Sequence, residues 1–175
     1  MLTQKLNDAI NDQINAEMYS AYLYLSMAAW FESENFPGFA NWMRVQVQEE
    51  TFHAMRFFDY VNSRNGRVIL SPIDGPPTSW ESVADVFKAT LEHEEFVTSR
   101  INKLMDLAIA ESDHALKSHL QWFVDEQVEE ESNANTILGK LKLAQGAPQM
   151  LLMLDNEMAT RVYTPPVTPE TAAAQ

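Results

Sequence analysis

The 175-residue chain contains no cysteine. Disulfides, iron–sulfur clusters, thiolate zinc sites and cysteine-ligated electron-transfer irons are excluded together. Glycine is scarce, at 5 residues, and against 46% hydrophobic residues this scarcity favours long helices over a sheet-rich fold. Basic side chains are outnumbered, 12 against 25 acidic ones, so the formal charge is −13. Nucleic-acid phosphates need a surplus of lysine and arginine, and the opposite surplus points to cations as clients. No stretch reaches the roughly 18 uninterrupted apolar residues of a membrane span. The start, Met1-Leu2-Thr3-Gln4-Lys5, has no apolar signal core. The expected location is cytoplasmic, with neither membrane nor nucleic acid as partner.

What remains is enough for one all-α domain with a substantial core. The punctuation predicts a first helix from Thr3 to about Glu34, closed by Asn35-Phe36-Pro37-Gly38, with the proline set in the next first turn. A second helix runs to Asn65-Gly66. Gly66 to Ser79 is too rich in proline for helix and too long for an antiparallel turn, so it reads as a crossover along a bundle. Thr78 and Glu81 fit a capping box for a third helix ending near Ala110. Glu111-Ser112-Asp113 turns the chain into a fourth helix that stops near Gly146, and Pro148 opens a short fifth helix to about Thr160. Two short loops and one long one give a four-helix bundle with a single crossover. Residues 1–161 form the expected domain, and 162–175, with Pro165, Pro166 and Pro169, a flexible tail.

Each long helix carries an apolar stripe broken near its middle. Glu17 interrupts Leu6, Ile10, Ile14, Ala21, Tyr24 and Ala28. Glu50 and His53 interrupt Phe39, Met43, Gln46, Phe57 and Tyr60. Glu94 breaks the third stripe, and Gln127 and Glu130 break the fourth. Midpoints stay level whether neighbouring helices run up or down, so a bundle gathers four glutamates, a histidine and a glutamine in one layer. An ionised carboxylate taken out of water costs on the order of several kcal/mol. No arginine or lysine lies on these stripes, so the carboxylates must protonate, stay wet or share metal.

Ligand chemistry favours metal. Glu50 and His53, three apart, project from one helix face and give an oxygen and a nitrogen to one ion, with Glu17 completing that position. Glu94 and Glu130 hold a second ion, with Glu50 bridging, as in carboxylate-rich di-iron and di-manganese bundles. The second position lacks an imidazole. Gln127 is there a weak ligand or a hydrogen-bond partner of metal-bound water or peroxide, so the two positions should differ in affinity. Glu49, Glu126 and Glu129 admit two readings: a third site sharing Glu130, or a solvated acidic face. Tyr24, two turns from Glu17, is either a core tyrosine or a group that hydrogen-bonds a ligand or donates an electron. His93, His114 and His119 read as surface residues, Glu131 as surface, and Trp42 and Trp122 as core or interface.

Three segments then carry a resemblance. Asn15–Tyr24, Gln48–Met55 and Leu120–Glu131 resemble the signature segments of the non-haem ferritins of bacteria and archaea, and the likeness extends to about Arg161. It implies a ferritin-like bundle and a hollow homo-oligomeric cage, usually of 24 subunits, that oxidises ferrous iron and stores ferric oxyhydroxide. It implies Glu17, Glu50 and His53 at the first ferroxidase iron and Glu50, Glu94 and Glu130 at the second. It places Glu49, Glu126, Glu129 and Glu130 at a third, and the fifth helix on a symmetry axis. Related haem-binding bundles carry a methionine directly after the bridging glutamate, where this chain has Thr51, so haem is not expected. The implied reaction takes ferrous iron in along acidic surface and passes its electrons to O2 or H2O2. A rubrerythrin-like peroxide reductase, which usually has a cysteine-ligated iron domain, and a non-enzymatic metal-buffering shell are the competing readings.

Overall fold

The computed structural model describes residues 2–144 and 147–166. Its elements are α1 (Gln4–Ser33), α2 (Pro37–Ser63), α3 (Val83–Ala110), α4 (His114–Ala144) and α5 (Pro148–Met158). The helix bounds expected from sequence hold within a few residues, apart from the expected stop at Gly146 and most of the tail, which lie outside the described residues.

The first three helices end by one device. Asn35, Asn65 and Ser112 adopt left-handed backbone, with φ of 63°, 57° and 54°. The following amides, of Phe36, Gly66 and Asp113, reach back 2.9 Å to the carbonyls of Phe31, Val61 and Ala108. This Schellman closure satisfies otherwise orphaned carbonyls and reverses the chain sharply. At the other end, α1 is capped by Thr3, whose hydroxyl accepts from the Leu6 amide.

The start of α3 departs from the expected Thr78–Glu81 box. Ser82 is the N-cap instead: its Oγ accepts from the Asp85 amide at 3.2 Å and donates to Asp85 Oδ2 at 2.8 Å. The same capping chemistry works four residues later because Trp80 packs edge-on against Trp30 and keeps the preceding residues in the crossover.

The crossover is fastened along α1 by three asparagines spaced one turn apart and by a serine about three turns further on. Asn7 and Asn11 both donate to the Arg67 carbonyl, Asn11 accepts from the Ile69 amide, Asn15 donates to the carbonyls of Ser71 and Pro72, and Ser26 donates to the Pro77 carbonyl. These contacts supply partners for a non-helical backbone that has none of its own. They also carry the chain from the start of α1 to near its end, so α3 runs parallel to α2, and α4 parallel to α1.

Two apolar clusters fill the bundle. One, around Phe31, Phe39, Met43 and Phe87, lies toward the end from which α2 and α3 start. The other, around Ile10, Phe57, Ile101 and Phe123, fills the opposite end. The buried polar side chains Glu17, Gln46, Glu50, His53, Glu94, Gln127 and Glu130 lie in the helix middles that separate them. No described helix is long and apolar enough to cross a membrane.

Candidate metal centre

The layer brings Glu17 from α1 together with Glu50 and His53 from α2. One ligand atom from each lies within 4.8 Å of the other two, and all three side chains are buried. Such a group of acidic or imidazole ligands occurs once among the described residues. His53 Nδ1 stands 3.5 Å from Glu50 Oε2. The imidazole is wedged edge-on to Trp122 and Phe123, and burial, with the nearby Arg56 charge adding to it, lowers its pKa to about 3. It is therefore neutral near pH 7 and keeps a nitrogen lone pair for a metal.

The carboxylates respond to burial in the opposite direction. Desolvation raises Glu17 to about 7 and Glu94 to about 8. Glu50 is held well above the carboxylate range by desolvation and then by Glu94, Glu17 and Glu130, and burial raises Glu130 as well. Carboxyl groups this close cannot all ionise without a cation. Glu17 Oε2 is buried, and the only group among the described residues that can meet it is the neighbouring Glu50 carboxyl, which shares a proton with it where a cation would otherwise sit. Hard oxygen donors, a neutral imidazole and a carboxylate oxygen with no other partner suit a divalent first-row metal such as iron.

Three glutamines orient three of the four glutamates. Gln13 Nε2 donates to Glu17 Oε1 at 2.8 Å, Gln46 Nε2 to Glu130 Oε2 at 2.9 Å, and Gln127 Nε2 to Glu94 Oε2 at 3.2 Å. Tyr24 donates its hydroxyl to Glu94 Oε1. Gln127 also donates to Thr98 Oγ1 at 3.3 Å, and Thr98 in turn donates to Glu131 Oε1 at 2.5 Å, which ties Glu131 into the bundle.

Glu49, Glu126 and Glu129, like Glu94 and Glu130, fall outside the 4.8 Å group. Glu49 is engaged by Arg161, whose Nη2 stands 2.7 Å from Glu49 Oε2 while its guanidinium lies over Trp42. Glu126 is half-buried and Glu129 exposed. Burial nonetheless lifts both Glu49 and Glu126 to about 7, and the charge of Glu130 adds to each.

Two histidines expected at the surface are not there. His93 is half-buried, with Nε2 2.8 Å from Ser20 Oγ and its ring edge-on to Tyr24, and burial lowers its pKa to about 4. His119 stacks on Tyr60 with ring centroids 4.2 Å apart. Their stripe-adjacent positions gave no sign of this, because the partners come from other helices. Gln13 and Arg100 join the layer as well, although neither stands at a break in a stripe. The spacing of Gln13, one turn before Glu17 on the same face, was the available signal.

The family profile described as the ferritin-like domain matches residues 7–144. Among curated proteins, the chain is 44% identical over 161 residues to a bacterial non-heme ferritin of Bacteroides fragilis, covering 92% of this chain and 100% of that one. It is 37% identical over 163 residues to a bacterial non-heme ferritin of Staphylococcus saprophyticus, covering 93% and 98%. Among solved structures, the open pore ferritin of the hyperthermophilic archaeon Archaeoglobus fulgidus superposes with a TM-score of 0.92 at 49% identity, covering 93% of this chain and all of that one. A closed form of that ferritin made by site-directed mutagenesis superposes at 0.93, covering 94% and 100%. With a bundle joined by one crossover and a buried glutamate–histidine layer at its middle, the chain belongs to the ferritin family.

Proposed function

We propose that this protein stores iron, oxidising ferrous ions in the buried layer and passing the ferric product into the cavity of a homo-oligomeric cage, of 24 subunits by the family pattern. The observation that carries the reading is the convergence of Glu17, Glu50 and His53 within 4.8 Å, buried. Ferrous iron is the substrate. Glu17 and His53 hold the first ion, Glu50 bridges, and Glu94 and Glu130 hold the second, with Tyr24 and Gln127 fixing Glu94. Each ferrous ion gives up one electron. The pair reduces O2, with two protons, to H2O2, or reduces H2O2, with two protons, to two waters. Anionic oxygen ligands stabilise the more highly charged product, which lowers the barrier to electron loss. Hydrolysis of the ferric ions to oxyhydroxide releases protons to water.

Assembly is supported by an apolar face that one copy leaves open. Tyr22, Leu25, Met55, Leu70 and Ile73 are exposed on α1, α2 and the crossover, and several of them border an apolar recess of about 190 Å³.

The test is ferrous iron added to the aerobic, metal-stripped protein, with ferric absorbance followed against Glu50→Ala and a protein-free blank. Oxidation well above the blank should fall by at least about 100-fold in the variant, the upper end of what loss of an outer-shell partner alone costs. A wild-type rate equal to the blank would leave a metal-buffering shell. Turnover of peroxide without mineral would favour the peroxide reductase.

A further inference from the structure

One of the three glutamine contacts is itself constrained from outside the layer. Gln13 is buried on α1, and its amide can in principle face Glu17 with either end, nitrogen as donor or oxygen as acceptor. Arg100, arriving from α3, removes that choice. Its Nε donates to Gln13 Oε1 at 3.1 Å, so Nε2 is the end that meets Glu17 Oε1, at 2.8 Å. Arg100 is held in turn by Asp12: Nη2 donates to Asp12 Oδ2 at 2.8 Å and to the Asp12 carbonyl at 3.1 Å. With Oε1 engaged by Gln13, Glu17 keeps Oε2 free of any partner but the Glu50 carboxyl, and a carboxylate oxygen of Glu17 lies within 4.8 Å of ligand atoms of Glu50 and His53. Gln46 offers the contrast. Its Nε2 donates to Glu130, yet its Oε1 is buried without a partner, so no second contact from outside the layer holds that amide.

We propose that Arg100 is a positioning residue for Glu17, acting through the Gln13 amide, and that the relay Asp12–Arg100–Gln13 sets the affinity of the first iron position. The inference rests on the reading of Glu17, Glu50 and His53 as that position. Arg100 touches neither iron nor any atom that reacts. Without its Nε–H, Gln13 Oε1 is left buried with no donor, so the amide is no longer held in place and the Glu17 carboxylate it steadies can leave its ligand geometry. Outer-shell hydrogen bonds of this kind typically change metal affinity by about 10- to 100-fold.

The experiment is anaerobic titration of the assembled, metal-stripped protein with ferrous iron, read by calorimetry, for wild type, Arg100→Met, Gln13→Leu, the double variant and Glu17→Ala. Arg100→Met should weaken the first binding step by about 10- to 100-fold and leave the number of ions bound per chain unchanged. Gln13→Leu should match it, and the double variant should be no weaker than either single one, because both break the same relay. If Arg100→Met prevents assembly, Asp12→Asn gives the same direction with a smaller shift, since Asp12 is 72% exposed and only anchors the guanidinium. First-step affinity unchanged in Arg100→Met, or additive losses in the double variant, would overturn the relay. An unchanged first step in Glu17→Ala would instead overturn the reading of the site beneath it.

Discussion

Raising pH should destabilise the metal-free protein across a defined window. Glu17 and Glu94 are lifted by burial to about 7 and about 8 from the ordinary carboxylate value of 4.5, so the folded state keeps protons that the unfolded chain has released. Their stabilising contribution is complete below about pH 4.5 and is lost as pH rises through 7 and 8. His53 and His93 act the other way. Burial lowers them to about 3 and about 4, so they favour the folded state above the unfolded value of 6.5 and oppose it below. Between pH 6.5 and 8 the two histidines together recover a little under about 1 kcal/mol, because an unfolded imidazole is half-protonated at 6.5, and the larger glutamate loss dominates. At 1.36 kcal/mol per unit of pKa shift, Glu17 and Glu94 together lose about 2 kcal/mol over that interval. Net of the histidine gain, about 1.5 kcal/mol is lost, which for a chain of this size is a fall in Tm of about 3–6 °C. Glu50 and Glu130 push in the same direction. Scanning calorimetry with a chelator present reads this directly, and the variant Glu17→Gln with Glu94→Gln should show a flatter dependence by about that amount. Saturating zinc should abolish the fall, because bound carboxylates are already deprotonated. A wild-type Tm that is flat or rising from pH 6.5 to 8, or identical slopes in wild type and variant, would refute the electrostatic account of the layer.

Further expectations concern how the bundle is closed. The N-cap of α2, Phe36, has no side-chain hydrogen bond, and Asp155 of α5 supplies one instead: its Oδ1 accepts from the Phe39 amide at 2.9 Å. Asp155→Ala should cost about 1–2 kcal/mol in denaturant titration, and Asp155→Asn less. A Cβ built on Gly38 would lie 1.7 Å from the Asp155 carbonyl oxygen, so Gly38→Ala should undock α5 and expose it to protease. Phe57 is fully buried and stacks on Phe123 at 4.0 Å between ring centroids, so Phe57→Ala should cost about 3–5 kcal/mol.

The fold was largely legible because its signals are local. Asn35 and Asn65 stop helices by left-handed backbone, prolines mark the crossover, and a stripe of period 3.6 shows which face is buried. The glutamates of the layer were legible for the same reason, as charges standing where the period calls for a hydrophobe. What escaped depends on partners distant in sequence. Arg100 lies off the stripe and matters only because Gln13 and Asp12 come to it from α1. Ser82 displaced the Thr78 cap through a contact between Trp80 and Trp30, and the packing of His93 and His119 is set by residues of other helices. Arg161 reaches Glu49 across 112 positions, which no spacing argument could anticipate. The acidic run at Glu129–Glu131 likewise resolves into an exposed, a buried and a tethered side chain only once α3 and α4 are paired.

Crystals of the assembled protein soaked anaerobically in ferrous iron, with anomalous difference density at the iron edge, test the central claim most directly. The account predicts one peak bounded by Glu17, Glu50 and His53 and a second between Glu50, Glu94 and Glu130, the first filling at lower iron concentration. A layer without anomalous density at saturating iron, or iron confined to the exposed acidic surface, would contradict it.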